Sequence, residues 1–201
     1  MNKVVAGGKQ SEPTLLTKIP AADADNLQFY SKSADIDDIG LGLPAWRKHL
    51  SNFAKVPGGL VFDGQRYPTV EHAFQAAKFQ YTARPSDAAR FERPMTAVAA
   101  KAAGSQAGMM KVGLALDRVR WEEACDDIMK RALQARYDAD PDFRRILEAV
   151  AATGKQLLHF ERRGGYWGGK VKDGVVVGQN TLGQMLMALL PIEPTKRLRL
   201  A

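Results

Sequence analysis

Cysteine is nearly absent from this chain: Cys125 stands alone among 201 residues. One thiol can neither close a disulfide framework nor build a thiolate metal site, so Cys125 reads as a small apolar residue on a helix. No apolar run approaches the roughly 20 residues that span a bilayer, and the N-terminus has no signal-peptide core, so a cytoplasmic protein with no membrane partner is expected. The His-Glu-x-x-His spacing of a helical zinc site does not occur, and neither a metal nor a cofactor is expected. Internal repeats and low-complexity tracts are missing as well.

What is present fits one domain. With 45% hydrophobic residues the chain can bury a core of useful size, and nothing in it demands a second domain. A net charge of +7 and an isoelectric point near 9.6 favour contact with phosphates, whether on a nucleotide or on a nucleic acid.

Residues 1 to 26 are polar, contain Gly7, Gly8 and Pro13, and show no sustained periodicity, which reads as a flexible arm. The ordered domain is expected over residues 27 to 191, and residues 192 to 201, with Lys196, Arg197 and Arg199, as a loose basic tail. A short helix over Pro44 to Leu50 offers Trp46 to the core. Asp63-Gly64, between Leu60-Val61-Phe62 and Gln65-Arg66-Tyr67, is a hairpin signal, and Asp173-Gly174 is a second. Residues 84 to 113 suggest two short helices packed through small side chains, with Met109 and Met110 filling core gaps. A helix capped by Asp117 or a neighbour follows, then one started by Asp140 and Pro141, a buried strand over Gln156 to Phe160, and a last helix from Asn180 to Leu190. The sum is a helix-rich α+β domain with a few short antiparallel strands.

The most informative stretch is Thr69-Val70-Glu71-His72-Ala73-Phe74-Gln75-Ala76-Ala77-Lys78-Phe79. Thr69 can cap a helix here, with Val70, Phe74 and Ala77 as an apolar stripe beside Glu71, Gln75 and Lys78. On residue types alone that polar edge reads as a solvated helix side. Yet the stretch resembles the signature helix of the NADAR superfamily of YbiA-like N-glycosidases. Three further matches come in the family's order: Leu50-Ser51-Asn52-Phe53, then Trp121 with Met129, then Tyr166-Trp167-Gly168-Gly169 followed by Gly178-Gln179-Asn180-Thr181-Leu182-Gly183. Together they cover roughly residues 29 to 190.

The resemblance implies a YbiA-like fold and cleavage of a bond between ribose and a base. Glu71 is the expected catalytic carboxylate, stabilising an oxocarbenium-like state and orienting water, with Lys78 beside it as an electrostatic partner or as a Schiff-base nucleophile ranked below simple hydrolysis. Asn52 and Phe53 would wall the ribose pocket, although an Asn here equally suits a local turn. His72 is a possible proton donor and Gln75 a further substrate contact. Trp121 has two readings, core or pocket, and so has Trp167, whose ring between Tyr166 and Gly168 suits stacking on a base. Asn180 completes the expected binding set. Arg162, Arg163 and Lys170 would hold phosphate or stand as a solvated rim.

Two departures matter. The family often carries an acidic residue where this chain has His159, and an Asp where it has Gly164. Glu161, Asp126 or Asp127 would have to compensate. The expected activity is therefore an N-glycosidase removing ADP-ribose from guanine in nucleic acid, ahead of riboflavin-pathway phosphoribosylamino-pyrimidines. A module that binds ADP-ribose or nucleotides without cleavage is the non-enzymatic alternative.

Overall fold

The computed structural model describes residues 25–190, and Ile19–Pro20 by their backbone. Other parts of the expected arm, and the expected basic tail, lie outside the described residues. Within that arm the backbone of Ile19–Pro20 forms β1, and β2 (Asn26–Phe29) starts the domain. Along the chain follow α1 (Trp46–His49), β3 (Leu60–Phe62), β4 (Gln65–Tyr67) and α2 (Val70–Ala77). Two 3-10 turns, Lys78–Tyr81 and Pro85–Glu92, lead to α3 (Ala97–Ala103) and α4 (Gln106–Lys111). Then come α5 (Arg118–Ala139), α6 (Pro141–Ala152), β5 (Gln156–His159), β6 (Gly169–Lys172), β7 (Val175–Gly178) and α7 (Thr181–Met187).

Both Asp-Gly signals make the hairpins they announce. Asp63 and Gly64 take φ of 49° and 80°, Asp173 and Gly174 of 53° and 72°, the left-handed pair that a two-residue turn requires. The β3–β4 hairpin stands alone, while β6 and β7 extend into a three-stranded antiparallel sheet with β1. The third pairing departs from expectation: β2 and β5 run parallel, with Leu27 opposite Leu157 and Phe29 opposite His159. Parallel strands need a long crossover, and here almost the whole helical part of the domain supplies it.

The helices pack a single core around α2, which is buried on every side rather than along one stripe. The solvated reading of its polar edge fails for that reason. Trp46, Phe79, Phe91, Phe143 and Leu147 are fully buried around it, and Met109 joins them. Met110 does not: it is 65% exposed, because one helical step turns it from the core to solvent.

One charged cluster lies inside this core. Arg136 on α5 is fully buried, donates to the carbonyls of Ser51 (3.0 Å) and His49, and stacks 4.1 Å over the Phe143 ring. Asp140 accepts from Arg136 and lies 3.0 Å from His49 Nε2, while its other oxygen caps α6 at the Phe143 amide. Burial lowers the Arg136 pKa to about 10, which leaves it charged at neutral pH. For Asp140 burial opposes the charge, but hydrogen bonds from His49 and Phe143, with the His49 and Arg136 charges, hold its carboxyl below the usual range. The guanidinium thus pins the loop that carries Asn52 and Phe53. Truncation by Arg136→Met leaves Asp140 without its guanidinium partner in the core, and should cost about 3–5 kcal/mol in urea denaturation.

Candidate active site

The parallel pair decides where the cavity forms. Tyr30 and Ser31 follow β2 directly, Phe160, Glu161 and Arg162 follow β5, and all five line one cavity of about 470 Å³. Crevices at the carboxyl ends of parallel strands are where α/β sheets place ligands. The opposite wall comes from α2, which contributes Glu71, Phe74 and Gln75, with Lys78 just beyond its end. Asn52 and Phe53 close one side, and Trp167 and Leu182 another.

Glu71 is 6% exposed, so its carboxylate sits inside the protein. Thr69 caps α2 by accepting from the His72 amide, which leaves Glu71 in the first turn, where the helix dipole favours a negative charge. Its own amide donates to the Asn52 carbonyl at 3.0 Å, tying helix to loop. Its Oε1 accepts from Gln75 Nε2 at 2.8 Å, one helical turn along. Burial pushes the Glu71 carboxyl above the usual carboxylate range, and the Gln75 hydrogen bond, then the charges of Lys101 and Lys78, draw it part of the way back.

Lys78 is the counterpart. Its Nζ donates to the Gly104 carbonyl at 3.4 Å and lies 5.5 Å from the Phe74 ring centroid and 5.4 Å from that of Trp121. Burial pulls its pKa below that of an ordinary lysine; Glu71 opposes that fall and Lys101 adds to it. Gly104 is needed at this junction, because a Cβ there would collide with the Gln75 amide.

Aromatic rings frame the polar floor. Tyr30 and Phe160 pair at 5.3 Å, and Trp167 meets Phe74 edge-on at 5.6 Å. Among the described residues, four buried side-chain atoms lack a hydrogen-bond partner: Asn52 Oδ1, Gln75 Oε1, His159 Nδ1 and Glu161 Oε2. All four belong to residues lining this cavity. An unsatisfied buried polar atom costs about 1–3 kcal/mol, so four around one cavity make it the candidate for a ligand site.

Of the residues singled out in the sequence, the structure gathers Glu71, Lys78, Asn52, Phe53, Gln75, Trp167 and Arg162 around the cavity. The others stand elsewhere. His72 is held between Thr69 Oγ1 (2.8 Å) and the Met95 carbonyl (3.2 Å), and burial lowers its pKa, so it is no proton donor to the cavity. Trp121 lies behind the wall, edge-on to Phe74 and Tyr81. Tyr166 donates its hydroxyl to Asp126, and burial followed by that contact raises its pKa to about 12. Gly168 packs its backbone against the His159 carbonyl, where a Cβ has no room. Asn180, in the left-handed conformation, spends its side chain on the Leu157 carbonyl (2.8 Å) and the His159 amide (2.9 Å), fastening α7 to β5. Arg163 and Lys170 fall outside the lining, so the phosphate expectation narrows to Arg162.

Of the three carboxylates offered as substitutes for the Asp missing at Gly164, only Glu161 lines the cavity; Asp126 takes the Tyr166 hydroxyl and Asp127 pairs with Arg131 at 2.9 Å. Sequence reasoning missed Lys101, Tyr30, Ser31 and Phe160, and held His159 only as a departure. The strand-end residues follow from the parallel register, which only the structure shows. Lys101, in an alanine-rich helix, gave no signal.

A group whose folded pKa is raised carries its full stabilising contribution below the unfolded pKa and loses it as pH rises through the folded value. For Glu71 the ionised form is therefore the destabilised one. Glu71→Gln should make the protein more stable than wild type at pH 7 in urea denaturation, and this advantage should vanish at pH 4.

Comparison with known proteins places this geometry. The NADAR domain model matches residues 38–190. N-glycosidase YbiA of Escherichia coli strain K12 is 31% identical over 163 residues, covering 81% of this chain and 85% of YbiA. YbiA of Shigella boydii serotype 4 gives the same figures. The NMR structure of E. coli YbiA superposes with a TM-score of 0.59 at 27% identity, covering 85% of this chain and 86% of that one. The family model spans most of the chain, the relatives agree along it, and the fold is shared, so the chain belongs to the NADAR family.

Proposed function

We propose that this protein is an N-glycosidase that hydrolyses the bond between C1 of a ribose and a base nitrogen, with Glu71 as the catalytic carboxylate. The observation that carries this reading is the buried Glu71 carboxylate, held by Gln75 and flanked by Lys78 and Lys101, on the wall of a polar cavity with aromatic sides. Departure of the base takes the bonding electron pair with it and leaves positive charge on the sugar ring. The ionised Glu71 opposes that charge and accepts the proton of the water that attacks C1, and this proton then passes to the departed base nitrogen, which leaves Glu71 ionised again. Trp167 and the Tyr30–Phe160 pair offer surfaces on which the base can stack. The YbiA relatives are named N-glycosidases, in accord with this chemistry.

The favoured substrate is ADP-ribose joined to guanine in nucleic acid. The net charge of +7 and the cationic residues of the cavity support it, as does Gly164 standing where the family often has Asp. Incubation with ADP-ribosylated DNA should release the modification; base release only from a phosphoribosylamino-pyrimidine would assign the riboflavin-pathway substrate instead.

Glu71→Gln should lower turnover by about 10²–10⁴-fold while ligand affinity, measured by calorimetry, stays within a few-fold of wild type. Equal rates for both proteins would reduce Glu71 to a structural residue and favour a binding module. Lys78→Arg should retain hydrolysis, and borohydride should trap no adduct, if Lys78 acts through its charge alone.

A further inference from the structure

Glu161 lines the cavity, and its Oε2 is buried with no hydrogen-bond donor. The other enclosed carboxylates are supported: Glu71 by Gln75, and Asp140 by Arg136, His49 and the Phe143 amide. Among the described residues Glu161 takes part in no ion pair within 4.0 Å, although Arg162 is its neighbour in a chain of net charge +7. The backbone at this point is fixed on both sides, because the Phe160 amide donates to the Phe29 carbonyl and the Glu161 amide to the Gly169 carbonyl, each at 2.9 Å. Two glycines make the room for the side chain. A Cβ on Gly165 would stand 2.7 Å from Glu161 Oε2, and one on Gly168 would stand 2.8 Å from Glu161 Cβ and 3.0 Å from His159 Nδ1. Between these glycines lie Tyr166 and Trp167, so the indole and the carboxylate are neighbours along the cavity lining.

A carboxylate accepts hydrogen bonds and donates none, and an acceptor left unpaired in the interior is costly. The partner that suits it best is a planar group with two N–H donors side by side. Enzymes that act on a nucleobase hold it by stacking on its faces and by hydrogen bonds to its Watson–Crick edge. Guanine presents there a ring N–H beside an exocyclic amino group. Where one of those donors stands, adenine has a bare ring nitrogen, uracil a carbonyl and hypoxanthine a C–H. We propose that Glu161 is the specificity-determining residue of this site: it takes the ring N–H and amino group of a guanine-type edge on the leaving base, while that base stacks on Trp167. This assignment rests on the N-glycosidase reading, since only there is the bound ring a leaving group. The unpaired carboxylate and its glycine seat are independent of that reading.

Small rings without a sugar separate this contact from cleavage. Isocytosine carries the ring N–H and amino pair, uracil has a carbonyl in place of the amino group, and pyrimidin-4-one has a C–H there. In NMR titrations of the full chain, isocytosine should bind at least about 10-fold more tightly than either of the others. Glu161→Gln should reverse that preference in favour of uracil, because a carboxamide offers one donor and one acceptor to the carbonyl and N–H of uracil. A glutamate with only a structural role would weaken or spare all three rings alike. Glu148→Gln, exposed on α6, should change nothing. An unchanged melting temperature would show that Glu161→Gln folds. Equal affinity of the wild type for isocytosine and uracil would overturn the readout whether or not the variant folds. So would a Glu161→Gln protein that keeps the wild-type preference, which would leave Glu161 to acid–base chemistry or packing. Tighter binding of 9-methylguanine than of isocytosine would assign the edge to a purine, and the reverse order to a single-ring pyrimidine; both orders support Glu161 as the reader. A protein that shows the Glu161-dependent preference but releases no base would support the readout and reject the glycosidase reading.

Discussion

A carboxylate enclosed by protein is expensive to keep, and the architecture around Glu71 is arranged to keep it. Its hydrogen bond from Gln75 is internal to α2, so the helix that buries the charge also supports it. The first-turn position adds the favourable end of the helix dipole, and the Asn52 carbonyl fixes the start of the helix through the Glu71 amide. The loop supplying that carbonyl is held in turn by Arg136, whose guanidinium spans the Ser51 and His49 carbonyls and the Asp140 carboxylate. A chain of polar contacts therefore runs from the α5–α6 junction to the cavity. The links through Arg136, Asp140, Asn52, Glu71 and Gln75 are buried, those to His49 half-buried, and a buried link tolerates a missing partner poorly.

The cavity has no local origin. It combines the segment after β2, the loop after α1, two helical walls and the segment after β5, which are brought together by the pairing of strands about 130 residues apart. Glycines make the close approaches possible where the elements meet. Gly104 lets α3 lie against Gln75, and Gly183 lets α7 approach the Leu157 carbonyl, where Asn180 completes the joint. The terminal motifs of the family thus act on the site both directly, through Trp167 and Leu182 in the lining, and through packing, because Asn180 and Gly183 position β5, which ends in His159.

How much of this was legible follows from the range of the forces involved. Both Asp-Gly hairpins could be read because the left-handed turn is a property of those two residues. The caps at Thr69, Asp117 and Asp140 were legible for a similarly local reason, and each side chain accepts from an amide three residues on. Glu71, Gln75 and Lys78 were legible by helical spacing with the family resemblance, although spacing alone favoured a wet surface. What escaped is non-local. Nothing in Gln156 to His159 announces a parallel partner, and an arginine in the last turn of α5 gives no hint that it will be wholly buried. His72 and Asn180 have the right chemistry for a site and sit beside it in sequence, but both are fully engaged in holding secondary structure together.

The placement of Trp121 shows how an outer layer can matter without touching a ligand. Its ring lies behind Phe74 and beneath Lys78, so the indole face supports the ammonium while the Gly104 carbonyl takes its hydrogen bond. That support is weaker than an ion pair, and it leaves the lysine charge directed at Glu71 rather than neutralised by it. A direct salt bridge between the two would lower the cost of burying both, and would also weaken the field of Glu71 on which the proposed hydrolysis relies. The separation of Glu71 from its cations, with glutamine and aromatic faces as intermediaries, keeps both charges available to the ligand at the expense of the free protein's stability.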